Sequence, residues 1–157
     1  MILSTRAYSC VLEGNMSILQ DYLQIRGLLD TAVENALRDS VADGLKEVIQ
    51  KKAKENVYSY PASPSAMYKR REENGGLIDD TTMLTTVDGL TLTLENTAEP
   101  QHADGIDLTP IVEEGDPAWH QPFARPFMDE ARDDYVDNGN ADGDIAAALR
   151  AMGFTAS

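Results

Sequence analysis

Between Leu28 and Asn56 the apolar residues Val33, Leu37, Val41, Leu45, Val48, Ile49 and Ala53 recur at intervals of mostly three or four. A half-buried strand needs alternation at every second position, so this spacing predicts one face of an amphipathic helix about eight turns long. A helix with a single apolar stripe has to bury it, and the rest of the chain must supply the opposing layer. Thr31 followed by Glu34 reads as a capping box at its start. Asp30 and Glu34 lie early while Lys46, Lys51, Lys52 and Lys54 lie late, as the helix macrodipole prefers. Gly44 is a weak point within the stripe, and Pro61 and Pro64 end it.

Upstream, Met16 opens a shorter helix-like pattern through Ile18, Leu19, Tyr22 and Leu23. Residues 1–15 show no clear period and read as an N-terminal arm, one able to order against a neighbouring subunit. A single domain is expected over 16–157. After the helix a polar loop over 59–80 holds Gly75-Gly76. Met83–Val87 and Leu90–Glu95 flank Asp88-Gly89, a hairpin signal that fits a type I′ turn. Leu90, Leu92 and Leu94 alternate with Thr91 and Thr93, so one face of the second strand is wet. Leu108–Glu113 reads as a third strand, with Pro110 placing it at an edge.

Beyond Pro126 the residues Phe127, Met128, Ala131 and Tyr135 form a second helical stripe, which Asn138-Gly139 stops. A last helix is predicted over Asp144–Met152, with Asp144 as N-cap and Gly153 as the stop. The expected architecture is α+β: a long N-terminal amphipathic helix packed on a small antiparallel sheet, with a second helix near the C-terminus.

Charge narrows the function. The 157 residues carry 13 basic and 27 acidic side chains, net −14, and residues 101–157 alone hold 12 acidic against 3 basic, an acidic C-terminal tail. Such a surface repels phosphate, so sequence-specific nucleic-acid binding is not expected. No apolar run approaches the roughly 18 residues of a membrane span. Cys10 stands alone, which excludes an internal disulfide and a Cys-based zinc cage within one chain. The first residues hold Arg6 but no long apolar run, so no secretory signal is read and synthesis inside the cell is expected.

No catalytic constellation emerges. His102 and His120 belong to no nucleophile or metal motif and read as loop residues, and no cofactor is expected. The segment Asn138-Gly-Asn140-Ala-Asp142-Gly143-Asp144-Ile145 imitates a calcium loop, but its twelfth position is Leu149, where two carboxylate oxygens are needed. Trp119 reads as a loop anchor or interface residue. The densest basic cluster outside the long helix is Lys69-Arg70-Arg71, beside Tyr68 and just before Gly75-Gly76. Arginine forks suit carboxylates, so Tyr68, Arg70, Arg71, Gly75, Gly76 and Trp119 form the candidate interface set.

Taken in order, Val57-Tyr58-Ser59-Tyr60-Pro61, Tyr68-x-Arg70-Arg71 and Gly75-Gly76-Leu77-x-Asp79 resemble the small neck proteins of long-tailed bacteriophages. These are the head–tail joining or tail-completion proteins encoded among the connector genes. The lysine-tailed helix, the hairpin after Gly-Gly, Ile111-Val112-Glu113-Glu114-Gly115 and Arg125-Pro126-Phe127 fall in the same order, over roughly residues 17–138. The resemblance implies a non-enzymatic structural subunit of the virion neck. It would assemble as a homo-oligomeric ring, a hexamer, contacting connector or head-completion proteins on one side. On the other side it would meet the tail terminator or tail tube, with the genome passing through. Tail terminator or head-completion protein is the alternative within this class. A calcium-binding module on residues 138–149 and a small carboxylate-dependent hydrolase are the alternatives outside it.

Overall fold

The apolar stripe forms a helix that is longer than the stripe. In the computed structural model, which describes residues 6–59, 74–100, 105–119 and 123–154, helix α1 (Arg6–Ala36) opens ten residues upstream of Met16. It runs through a π turn at Leu37–Val41 into α2 (Ala42–Ala53) and a second π turn at Lys54–Tyr58. The junction residues Ala36, Val41 and Ala53 all keep right-handed helical backbone, so the rod is continuous. The first π turn has a cause in the sequence. Val33, Leu37, Val41 and Leu45 are four residues apart, and three such steps overrun the 3.6-residue turn by about one residue. A π turn absorbs one residue and keeps the stripe facing the core.

The capping box does not form. Thr31 lies inside α1 with its hydroxyl donating to the Gly27 carbonyl at 2.8 Å, and Glu34 pairs with Arg38 one turn on. Gly27 costs the helix about 1 kcal/mol but breaks nothing, so the pattern around Ile18–Leu23 fuses with the long stripe.

The sheet has two strands among the described residues, β1 (Met83–Asp88) and β2 (Thr91–Asn96), antiparallel with Met83 opposite Asn96 and Asp88 opposite Thr91. The connection is therefore Gly89-Leu90, one residue later than the Asp88-Gly89 turn expected. Gly89 takes φ +56° while Leu90 does not enter the positive region, the pattern of a type II′ turn with glycine at its first central position.

The expected third strand is a helix, α3 (Leu108–Glu114). Asp107 caps it by accepting from the Thr109 N–H at 2.8 Å, Pro110 sits in the first turn where no N–H is needed, and Gly115 at φ +79° ends it. The short apolar pair Ile111-Val112 could not distinguish strand from helix by period. The Leu108 N–H donates to the Ala98 carbonyl and the Thr109 hydroxyl to the Asn96 carbonyl, both at 2.8 Å, fastening α3 to the end of β2.

Helix α4 (Met128–Asp137) starts two residues after Pro126, as the Arg-Pro-Phe signal suggests. Helix α5 (Asn140–Ala151) begins four residues before Asp144. Gly139 at φ +73° turns the corner, so α5 starts at once and Asp144 lies within it, not at its cap. The calcium-like segment is thus the first turns of a helix, whose carbonyls align along the axis instead of wrapping a cation.

Two joined clusters make the core. Ile49, Ala53 and Val57 meet Leu77, Ile78, Met83, Ala98, Val112, Phe127 and Ala131. Leu37, Val41 and Tyr135 are surrounded by Val33, Val87, Leu92, Ala141 and Ile145, with Leu45 and Val48 touching both groups. The stripe predicted from the sequence is the central wall of this core. Hairpin, α4 and α5 pack around it.

Candidate functional site

Tyr68, Arg70 and Arg71 lie outside the described residues. Gly75 and Gly76 lie inside, in a tight turn. Asn74 (φ +60°) and Gly75 (φ +84°) occupy the left-handed region in succession, which only a sharp reversal requires. Asp79 holds the reversal together. Its Oδ2 accepts from the Gly75 N–H at 2.6 Å, and its Oδ1 accepts from the Thr81 N–H at 2.9 Å and the Thr81 hydroxyl at 2.7 Å. These donors, the Gly75 amide first, hold the Asp79 carboxyl below its ordinary pKa of 3.8. Its N–H donates to the Gly76 carbonyl at 3.1 Å.

The turn is bolted to the helix and to the hairpin. The Leu77 N–H donates to the Tyr58 hydroxyl at 3.1 Å, and the Leu77 carbonyl accepts from Asn96 Nδ2 at 2.8 Å. Gln50 Nε2 donates to the Ile78 carbonyl at 3.1 Å, while the side chains of Leu77 and Ile78 enter the core. Lys46 adds an ion pair with Asp80 at 3.5 Å. Tyr58 precedes residues 60–73 and Leu77 follows them, so one hydrogen bond ties the two ends of that segment. The Gly-Gly-Leu-x-Asp motif is a structural root, with Gly76 buried and Gly75 half-buried.

Trp119, two-fifths exposed, ends a short 3₁₀ turn, Pro117–Trp119, whose Ala118 N–H donates to the Asp116 carboxylate at 2.8 Å. Next to this turn in the chain, Gly115 packs against the backbone of Phe123 and Ala124. A Cβ at Gly115 would meet Ala124 N at 2.8 Å, on top of the strain of φ +79°. Asn56, Phe123, Ala124, Arg125, Pro126 and Glu130 line an open cleft of about 370 Å³. On its floor Asn56 Nδ2 donates to the Pro126 carbonyl at 2.5 Å and to the Glu130 carboxylate at 2.8 Å. Phe123, on the wall, is largely exposed.

Glu113 was not legible as a key residue. Its Oε2 accepts from the N–H groups of Phe127 and Met128 at 2.9 and 3.2 Å, and its Oε1 from Asp129 at 3.0 Å. A carboxylate on α3 thus caps the free amides of α4, a role only the fold reveals because the partners lie 14 to 16 residues apart in the chain. The first turn of α4 carries Asp129 and Glu130, and Asp133 and Asp137 extend its exposed acidic surface. Arg132 on the same helix answers Asp129 at 3.3 Å and Asp133 at 2.8 Å. Asp134 instead turns inward to Lys52 at 3.5 Å. Among the described residues no helix is long and apolar enough to cross a membrane.

No curated protein and no solved structure matches this chain. One family model does, that of YomN, over residues 15–151. That span takes in the long helix from the end of the N-terminal segment, the Gly-Gly-Leu-x-Asp root, the hairpin, the Glu113-capped α4 and α5. With most of its length matched, the chain belongs to the YomN family, a family of the Bacillus phage SPBc2 type, which points to a phage-encoded protein.

Proposed function

We propose that this chain is a non-enzymatic structural subunit of the phage head–tail interface. It forms a ring, a hexamer, that joins or completes the tail beneath the head connector while the genome passes through. The observation that carries this reading is the Gly75–Asp79 root. Tyr58 and Gly75–Asp79, which carry part of the resemblance to neck proteins, fasten this turn to the long helix and the hairpin. Arg70 and Arg71, a few residues before this turn in a very acidic chain, suit contacts between like subunits, where arginine forks meet carboxylates. The carboxylates with the most partners also serve architecture: Asp79 closes a turn and Glu113 caps a helix.

Deletion of the gene from the phage genome tests this. DNA-filled heads and separate, finished tails are expected, rejoined when the protein is supplied in trans, with labelled protein located at the neck. Normal infectious particles would overturn the reading. Joined particles with tails of uneven length would replace it with the tail-terminator role.

A further inference from the structure

Every described side chain of α1 from Ile18 to Thr31 is exposed. Seven of them are large and apolar: Ile18, Leu19, Tyr22, Leu23, Ile25, Leu28 and Leu29, each 41–67% exposed. Ile18, Tyr22, Ile25 and Leu29 follow a 4-3-4 spacing, and the same seam continues through Ala32 and Ala36, where the body of the protein buries it. The seam is therefore continuous with the core and runs out of it uncovered. At roughly 100 Å² for each such side chain, the bare face approaches the ~800 Å² that each partner contributes to a stable interface. It exceeds the ~300–600 Å² of the largest patch on an ordinary monomer.

We infer that this face is covered by α1 of further copies of the same chain, packed parallel and in register. With Tyr22 and Leu29 at a positions and Ile18 and Ile25 at d positions, Asp21 falls at g and Arg26 at e. In a parallel pair a g residue faces the e residue five places on in its neighbour. Asp21 then meets Arg26 of the partner subunit. An antiparallel pair sets g against g and e against e, which loses that complementarity. Arg26 already reaches Asp30 on its own helix at 3.7 Å, with both side chains more than half exposed, so it is free to share its charge across a seam. Leu19, Leu23 and Leu28 widen the stripe beyond a two-helix contact, so each helix meets a neighbour on either side. Copies related by rotation about a ring axis carry their helices parallel in this way when α1 runs along that axis. The inference deepens the ring reading and rests on it in requiring like copies to meet.

The test uses the purified full-length chain, whose behaviour is independent of whether particles contain it at the neck. Sedimentation should show I25D weakening self-association by about tenfold or more, with the thermal transition of the body unchanged because Ile25 touches none of its core. D21R and R26D should each weaken association, and the double swap D21R/R26D should restore it. In a C10S background, Y22C chains should crosslink under mild oxidation far faster than L90C chains, which carry the thiol at the exposed hairpin tip. Unchanged assembly in I25D, or equal crosslinking at the two positions, would overturn the inference while leaving the neck reading standing. Loss of assembly in I25D without rescue by the double swap would overturn the parallel register. If the α1 results hold but deletion of the gene leaves particles normal, the neck reading alone fails.

Discussion

The Tyr135 hydroxyl donates to Asp144 Oδ2 at 2.5 Å directly above Gly44, where a Cβ would stand 2.6 Å from that hydroxyl and 2.8 Å from the carboxylate. Gly44 is thus the place where α4 and α5 come down onto α2. In an exposed helix Gly→Ala gains about 1 kcal/mol. Here G44A forces the Tyr135–Asp144 pair aside, and overpacking should leave a net loss of about 1–3 kcal/mol. Removing the hydroxyl takes away the nearest of these contacts, so G44A should cost less in a Y135F background. A double-mutant cycle by denaturant unfolding measures the coupling.

That pair also has a pH signature. Burial, then the hydrogen bond and charge of Asp144, raise the Tyr135 pKa above its ordinary 10.0. The folded value lies above the unfolded one, so the contribution is complete below pH 10 and is lost as pH rises beyond it. Wild-type stability should fall more steeply above pH 10 than that of Y135F.

What the sequence reveals here follows from the range of each interaction. The stripe Val33 to Ala53 was legible because a helix repeats its signal every turn; of the four residues expected to be buried, Leu37 and Val41 are, while Leu45 and Val48 are only half-buried. The hairpin was legible to within one residue, the error being the choice between two glycine-bearing turns. Asp144 was misplaced because a residue before a helical stripe looks like a cap whether the helix begins there or at Asn140. Leu108–Glu113 was misread because a short apolar run has no measurable period. The role of Asp79 was half visible: its spacing from Gly75-Gly76 marked a motif, but the partners Tyr58, Gln50 and Asn96 come from elements that only folding assembles.

Asp79 gives the acid-side counterpart. Its pKa is depressed in the folded state, so its contribution is present above the unfolded value of 3.8 and is lost as pH falls through the lower folded value. D79N should be less stable than wild type at pH 7. The gap between their melting temperatures should close as pH falls below about 4.

Core truncation should be graded along the helix. Ile49 is 1% exposed, so I49A should cost about 2–5 kcal/mol. Leu45 is only partly buried between the two clusters, and L45A should cost about 1–2 kcal/mol, closer to the transfer term alone. Equal costs at the two positions would show that the clusters do not share the stripe as described.

Glu113 should matter more than its place in a short helix suggests. E113A strips three amides of α4 of their acceptor, for an expected loss of about 1–2 kcal/mol. E113Q keeps one oxygen and should lose less. Hydrogen exchange should speed up first at Phe127–Asp129 in both variants, and an unchanged exchange rate there would show that the cap is not retained in solution.

The charge of the chain sets the last test. Copies at net −14 repel one another as a ring closes, so salt up to roughly 0.15 M, where the Debye length is near 8 Å, should strengthen assembly. Arginine–carboxylate pairs between copies pull the other way, because the same salt weakens them. R70A/R71A removes two positive charges from a segment whose ends are held by Tyr58, Leu77 and Asp79, none of which the substitutions touch. Its melting temperature should therefore stay at the wild-type value. If the two guanidiniums meet acidic residues of a neighbouring copy, the variant should assemble weakly at low salt. Its recovery with added salt should be steeper than that of wild type, since repulsion then acts without its counterweight. Parallel salt curves from sedimentation for the two proteins would place Arg70 and Arg71 away from the subunit contact.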